Sequence, residues 1–197
     1  MNTTMKYASL DFGTVEAVFN KLGGLEGAAQ FLRDELTLVL QPKPEPPLEP
    51  ALDFLVRVDR SVKPSYPNWF KKLEHPELEC SGPTEYDLQT CVHQWLHKDQ
   101  KRGLVLGKTI YKYLQKGDAL ATCLNLQDGL AIQAKGIAVF RKLFGGKAVF
   151  LWGSVVRDRD GNLDVPYLYE DGGKVVVSWG WLGNNWNSRD PALRFGK

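Results

Sequence analysis

His93 and His97 stand four residues apart in the stretch EYDLQTCVHQWLH, with Cys91 two residues before the first and Cys80 further upstream. On a helix that spacing puts two imidazoles on one face, and imidazole with thiolate is a ligand set that zinc accepts in a tetrahedron. The zinc hydrolase motif HExxH also needs a glutamate beside its first histidine, where this chain has Gln94. No downstream ligand follows at matching spacing, so the sequence assigns no metal and no cofactor. A strand would also put both histidines on one face, with no metal at all. Cys80, Cys91 and Cys123 could each act as a nucleophile beside a histidine. Cys91 and Cys123 instead fall at apolar positions of expected helices, where cysteine packs as a small hydrophobe.

Two further chemistries are near misses. GLVLGKT, Gly103 to Thr109, has three residues between its glycines where a phosphate-binding loop needs four. Asp158, Asp160 and Asp164 surround a turn at Gly161, and turn aspartates cap their own backbone amides.

Charge is segregated along a chain whose net charge is only +2. Lys98, Lys101, Arg102, Lys108, Lys112 and Lys116 stand against Asp99 alone, while Glu74, Glu77, Glu79, Glu85 and Asp87 share a block with no lysine or arginine. Two solvated surfaces that neutralise each other would account for this. A basic patch that meets an acidic protein or nucleic acid would account for it equally.

Aromatic residues gather near the C-terminus. KVVVSWGWLGNNW puts Trp179, Trp181 and Trp186 into eight positions, beside the polar residues Asn184, Asn185, Asn187, Ser188 and Arg189. If Asp171-Gly172-Gly173 makes a three-residue loop, Tyr169 lies opposite Val175, Tyr167 opposite Val177 and Val165 opposite Trp179. Tyr167, Tyr169, Trp179 and Trp181 then share one face; a two-residue turn would scatter them. Trp179 is expected in the core, under the helix Leu126 to Phe144. Trp181 and Trp186 close the core edge, stack on a ligand or make a subunit contact. The candidate ligand-binding residues are thus Trp181, Trp186, Tyr167, Lys101, Arg102, Lys108 and Lys112.

The elements that must position these residues read as follows. Thr14 to Leu40 is a helical hairpin turning at Gly23-Gly24, with an apolar stripe through Val18 and Leu22, then Leu25, Ala28, Leu32 and Leu36. Its second helix carries little positive charge, which disfavours DNA reading. Residues 41–50, QPKPEPPLEP, hold five prolines and read as an extended spacer. The expected division is a hairpin over 1–40, a linker over 41–50 and an α+β domain over 51–197. Leu52 to Val62 alternates as a strand, and Tyr66, Trp69 and Phe70 pin the long connection that follows. Glu85 to His97 fits a helix or a strand. Gly107–Gln115, Ala119–Leu124 and Leu126–Phe144 read as helices, the last with Leu130, Gln133, Ile137, Phe140 and Phe144 on one face. KAVFLWGSVVRD, NLDVPYLYE and KVVVSWGWL read as a three-stranded antiparallel meander. The class is α+β.

Totals set outer bounds. Hydrophobic residues make up 43% of the 197, enough for a core. Three cysteines are no disulfide framework and fit a reducing compartment. No signal pattern and no run of spanning length are seen, so a cytoplasmic protein with no membrane partner is expected.

The segments GPTEYDL, WLH, IYKYL, CLNLQDGLAIQAKGI, FRKLFGGKAVF, SVVRDRDG and VPYLYEDGG together resemble a family of uncharacterised proteins from environmental bacterial genomes, over about Asp53 to Phe195. The resemblance implies a bacterial or bacterial-virus origin, and no site residue. Three functions follow from the residues: a binding module for an anionic partner, an assembly protein whose spacer tethers the hairpin to another subunit in a homo-oligomer, or a small hydrolase or transferase built on His93, His97 and a carboxylate.

Overall fold

The computed structural model describes residues 11–37, 39, 51–117 and 119–196; the proline-rich spacer lies outside them. The chain divides into two compact units, Met1–Glu49 and Pro50–Lys197.

In the first unit, helix α1 (Phe12–Lys21) starts at Asp11, whose carboxylate accepts the Thr14 amide at 2.6 Å. Gly23 and Gly24, at φ 89° and 80°, make the turn, and α2 (Gly24–Leu32) follows. The second helix ends at Leu32, short of the Leu36 that the stripe predicts. Asp34 takes positive φ just beyond it.

The second unit is α+β. Its strands are β1 (Leu55–Arg57), β2 (Phe70–Leu73), β3 (Glu85–Asp87), β4 (Val92–Trp95), β5 (Val105–Leu106), β6 (Val149–Phe150), β7 (Val156–Asp158), β8 (Leu163–Asp171), β9 (Lys174–Trp181), β10 (Asn185–Trp186) and β11 (Ala192–Phe195). Its helices are α3 (Gly107–Leu114), α4 (Leu126–Ala134) and α5 (Ile137–Phe144). The main sheet runs β2-β7-β8-β6-β11-β4, with β9 on the other side of β8. β1 pairs with β3, and β5 with β10.

The meander forms, with its first run split. β6 and β7 both line one edge of β8, interrupted by a 3-10 turn at Trp152–Ser154. Pro166 sits at that interruption, where a central strand tolerates its missing donor; its carbonyl takes the Leu151 amide at 2.9 Å. Glu85 to His97 is two strands, not a helix. The expected strand Leu52 to Val62 contracts to three residues, although Val56 and Val58 do point into the core. Ala119–Thr122 is a 3-10 turn.

The helix expected over Leu126 to Phe144 is two helices. α4 opens on a capping box: the Asn125 side chain accepts the Asp128 amide at 3.2 Å, and the Asp128 carboxylate accepts the Asn125 amide at 3.0 Å. It stops at Gly136, whose φ of 85° a residue with a Cβ rarely adopts. The apolar period continues across that break, so the two short helices imitate one long one in sequence.

The sheet is buried on both faces. Leu168, Val175 and Val149 face α4 and α5 through Ile132, Val139, Phe140 and Phe144. Val165 and Phe150 face the opposite way, into a core with Trp152, Leu182, Trp186 and the inner residues of α3.

The β8–β9 register overturns the three-residue loop. Gly172 and Gly173 both have positive φ, 53° and 75°, as a two-residue hairpin turn of primed type requires, and Asp171 pairs with Lys174. Tyr167 therefore faces Ser178, and Tyr169 faces Val176, so the tyrosines point away from Trp179 and Trp181. The indole of Trp179 is half-buried, and it is covered by Tyr66 and Trp69 at centroid distances of 6.2 and 5.4 Å, not by a long helix. The connection is pinned by its aromatics as the sequence suggests.

Candidate functional site

The basic block is presented by two adjoining pieces of backbone. From His97 to Gly103 the chain makes a tight turn: Asp99 O accepts the amides of Arg102 and Gly103, and Gln100 Oε1 accepts the His97 amide at 2.9 Å. Gln100 is buried, and its amide donates to the carbonyls of Asn187 and Asp190 at 3.2 and 3.0 Å. With that glutamine anchored inside, Lys98, Lys101 and Arg102 are left exposed. β5 leads straight into α3, whose inner face is Gly107, Ile110, Tyr111 and Leu114. Lys108 and Lys112, four apart, occupy the exposed face.

The same geometry disposes of the phosphate-loop near miss. The amides of Gly107 and Lys108, which would cradle a phosphate, donate to the carbonyls of Asn184 and Leu182, each at 2.9 Å. Gly107 is there for packing. A Cβ at that position would meet the Trp186 ring at 2.7 Å.

The two charge blocks do not neutralise each other. Glu74 takes a bidentate bond from Arg157 at 3.0 and 2.9 Å, Glu79 pairs with Lys63, Glu85 with Arg57, and Glu77 faces His75. Asp87 caps the amides of Gln89 and Thr90. Among the described residues, none of Lys98, Lys101, Arg102, Lys108, Lys112 and Lys116 makes an ion pair.

An aromatic edge borders this face. Tyr113 of α3 is 49% exposed and stacks on Trp95 at 5.4 Å, with the His97 ring edge-on at 5.1 Å; Arg194 lies over Trp95 at 5.6 Å. Tyr113 is absent from the candidates that sequence proposes. The signal is there: once α3 buries residues 107, 110, 111 and 114, a tyrosine at 113 has no core to enter.

The structure separates the three aromatic candidates. Trp186 is buried, its ring 4.6 Å from Phe150 and 5.3 Å edge-on to Trp152. Tyr167 is half-buried on the same side and stacks on Phe150 at 4.9 Å. Trp181 is exposed on the other face of β9, its indole folded over Gly183.

The histidines and cysteines do not assemble. His93 is exposed on β4, while His97 is buried with its Nδ1 3.5 Å from Asp99. No cluster of three or more possible metal ligands occurs among the described residues. Cys91 is exposed in a turn, not on a helix, and Cys123 is buried. Burial pushes the Cys123 thiol up to about 12. At mildly alkaline pH it is therefore less ionised than an ordinary cysteine. Iodoacetamide labelling followed by mass spectrometry should modify Cys91 first and leave Cys123 untouched until the protein unfolds. Early modification of Cys123 would contradict its packing.

The densest polar constellation is one the sequence does not reveal. Asp128 is fully buried and accepts from Arg60 Nη2 at 2.5 Å and from the Tyr86 hydroxyl at 3.0 Å. Arg60 also reaches Pro83 O at 2.8 Å and Asn125 Oδ1 at 3.2 Å. Asn125 Nδ2 holds the carbonyls of Leu78 and Ser81, and Ser154 Oγ accepts the Leu126 amide. Nearly every lone pair is committed to the protein, so the network ties three segments to the start of α4 and leaves little for a substrate. Asp158 likewise caps its own turn, through Asn162.

Open clefts lie elsewhere. One of about 560 Å³ runs between Lys147, Tyr169, Asp171, Asn187 and Arg189. Another of about 510 Å³ lies over Tyr86, Cys91, Thr122 and Phe195. In the second, Glu85 bonds to Arg57 and the Cys91 thiol to the Thr90 hydroxyl. No helix among the described residues is long and apolar enough to cross a membrane. Comparison with models of protein families, with curated proteins and with solved structures finds no match for this chain.

Proposed function

We propose that the protein is a binding module whose Lys98–Lys116 face holds single-stranded nucleic acid. The observation that carries this reading is six exposed basic side chains without an ion pair among the described residues, bordered by the half-exposed ring of Tyr113. Lysines that neutralise phosphates release condensed counterions, which makes binding favourable at low salt. A ring backed by Trp95 offers its outer side as a platform on which any base can stack. The three free cysteines fit action in a reducing compartment.

The test is fluorescence anisotropy of a labelled single-stranded oligonucleotide over a salt series. Each phosphate contact on a single strand contributes about 0.7 to the slope of log K against log salt. The triple variant Lys101→Gln, Lys108→Gln, Lys112→Gln should therefore flatten that slope by about 2. Tyr113→Ala should weaken binding by about 1–3 kcal/mol and leave the slope unchanged. Binding that ignores salt, or is absent at low salt, would end the proposal. Binding of polyglutamate with no effect of Tyr113→Ala would redirect it to an acidic protein.

A further inference from the structure

Among the described residues β9 pairs with β8 alone, which leaves its other edge open. The two-residue turn fixes what that edge shows. Residues 174, 176, 178 and 180 exchange hydrogen bonds with β8, so the peptide groups of Val175, Val177, Trp179 and Trp181 point outward. The carbonyls at the two ends of this row are already taken from within. Gln133 Nε2 donates to Val175 O at 2.8 Å, and the Asn184 amide donates to Trp181 O at 2.9 Å. Between them, the amides and carbonyls of Val177 and Trp179 have no partner among the described residues. No charged residue or proline lies between Lys174 and Leu182, and those are the devices by which edge strands refuse their own kind.

We propose that this edge pairs with the same edge of a second copy, antiparallel about a two-fold axis through Ser178. In that register Val177 of each copy faces Trp179 of the other as a hydrogen-bonded pair. The two amides and two carbonyls of Val177 and Trp179 on each side are then satisfied, by four bonds in total. The side chains agree with the backbone. A small valine meets a large indole twice, Ser178 meets Ser178, and Val176 meets Gly180. The exposed indole of Trp181, at 45%, is carried to Val175 of the second copy. A foreign strand would find the same four groups but no such matched set of sizes. This pairing is independent of the basic face.

Sedimentation velocity of the full chain over a concentration series should show a monomer–dimer equilibrium. Ser178→Lys sets two like charges against each other at the axis. It should give monomer at every concentration, with the thermal unfolding curve that the parent shows when dilute enough to be monomeric. In a Cys91→Ser background, Ser178→Cys should form an intermolecular disulfide with oxidised glutathione. Directly opposed non-hydrogen-bonded positions lie about 4.5 Å apart at Cα, within disulfide reach. Val176→Cys in the same background should not cross-link, because its counterparts stand ~13 Å apart along the strands. A monomer at all concentrations, a dimer that survives Ser178→Lys, or equal cross-linking at position 176 would overturn the pairing.

Discussion

Replacing Asp128 by alanine should lower the unfolding free energy of the second unit by about 3–5 kcal/mol, read as a shift in urea midpoint at unchanged slope. The size follows from what is left behind. Arg60 stays buried, its side chain 10% exposed, with its charge uncompensated and its Nε already without a partner. The Tyr86 hydroxyl and the Asn125 amide lose their acceptor as well. Stability comes from keeping the set complete, not from the ion pair alone, so Arg60→Leu with Asp128→Leu together should cost less than the two single changes added. The partner change carries a pH signature. Burial pushes the Asp128 carboxyl above the ordinary aspartate range, while the Arg60 fork, the Asn125 amide and the Tyr86 hydroxyl oppose that push. In Arg60→Ala the main opposing group is gone and the push grows. A carboxyl raised on folding contributes stability that is complete below its unfolded pKa and is lost as pH rises through its folded pKa. The penalty of Arg60→Ala should therefore shrink as pH falls towards about 4. An Asp128→Ala protein within 1 kcal/mol of the parent, or an Arg60→Ala penalty that grows in acid, would show that the network does not hold the fold.

This network also shows where a sequence goes silent. Arg60 and Asp128 are 68 residues apart, and nothing local marks either as a partner. Only the cap is legible: asparagine followed three residues later by a carboxylate, at the head of an apolar run. The acidic block misleads for a related reason. Its neighbours in sequence are the basic block, but its partners in space are Arg157, 83 residues from Glu74, and Arg57, 28 residues from Glu85. Charge segregation along a chain says nothing of pairing once the chain folds back.

Local signals fare better where one residue type decides the backbone. The Gly23-Gly24 turn, the presence of a hairpin at DGG and the inward pair Val56 and Val58 are legible from the sequence. Composition cannot separate a two-residue from a three-residue loop in DGG, because either uses glycine at positive φ, and one residue of register moves both tyrosines to the opposite face. Lys135-Gly136 breaks a helix whose apolar spacing runs on undisturbed. β11 is invisible for another reason: ALRF is too short to show a period, and its strand character comes from lying between β4 and β6. Of the candidate site, the exposed lysines are legible and their freedom from ion pairs is not.

Trp186→Ala should cost about 3–5 kcal/mol, while Trp181→Ala, five residues away, should cost about 1 kcal/mol. In sequence the two tryptophans look alike, both beyond the middle of the last apolar run and both beside asparagines. The fold treats them oppositely. Trp186 is 6% exposed, packed between Phe150 and Trp152, and two glycines shape its slot: a Cβ at Gly107 or Gly180 would approach its ring to 2.7 or 3.3 Å. Truncation leaves a cavity walled by rigid rings and backbone that cannot close around it, the condition under which large-to-small changes cost most. It also loosens the β10–β5 pair, on which the start of α3 and its lysines rest. Trp181 is 45% exposed and lies over Gly183, so its removal uncovers a strand end and opens no void. Urea denaturation of the two variants side by side gives the comparison. Equal destabilisation would mean that the indole at 186 is not the wedge between sheet and α3, and the positioning of the basic face would need another cause.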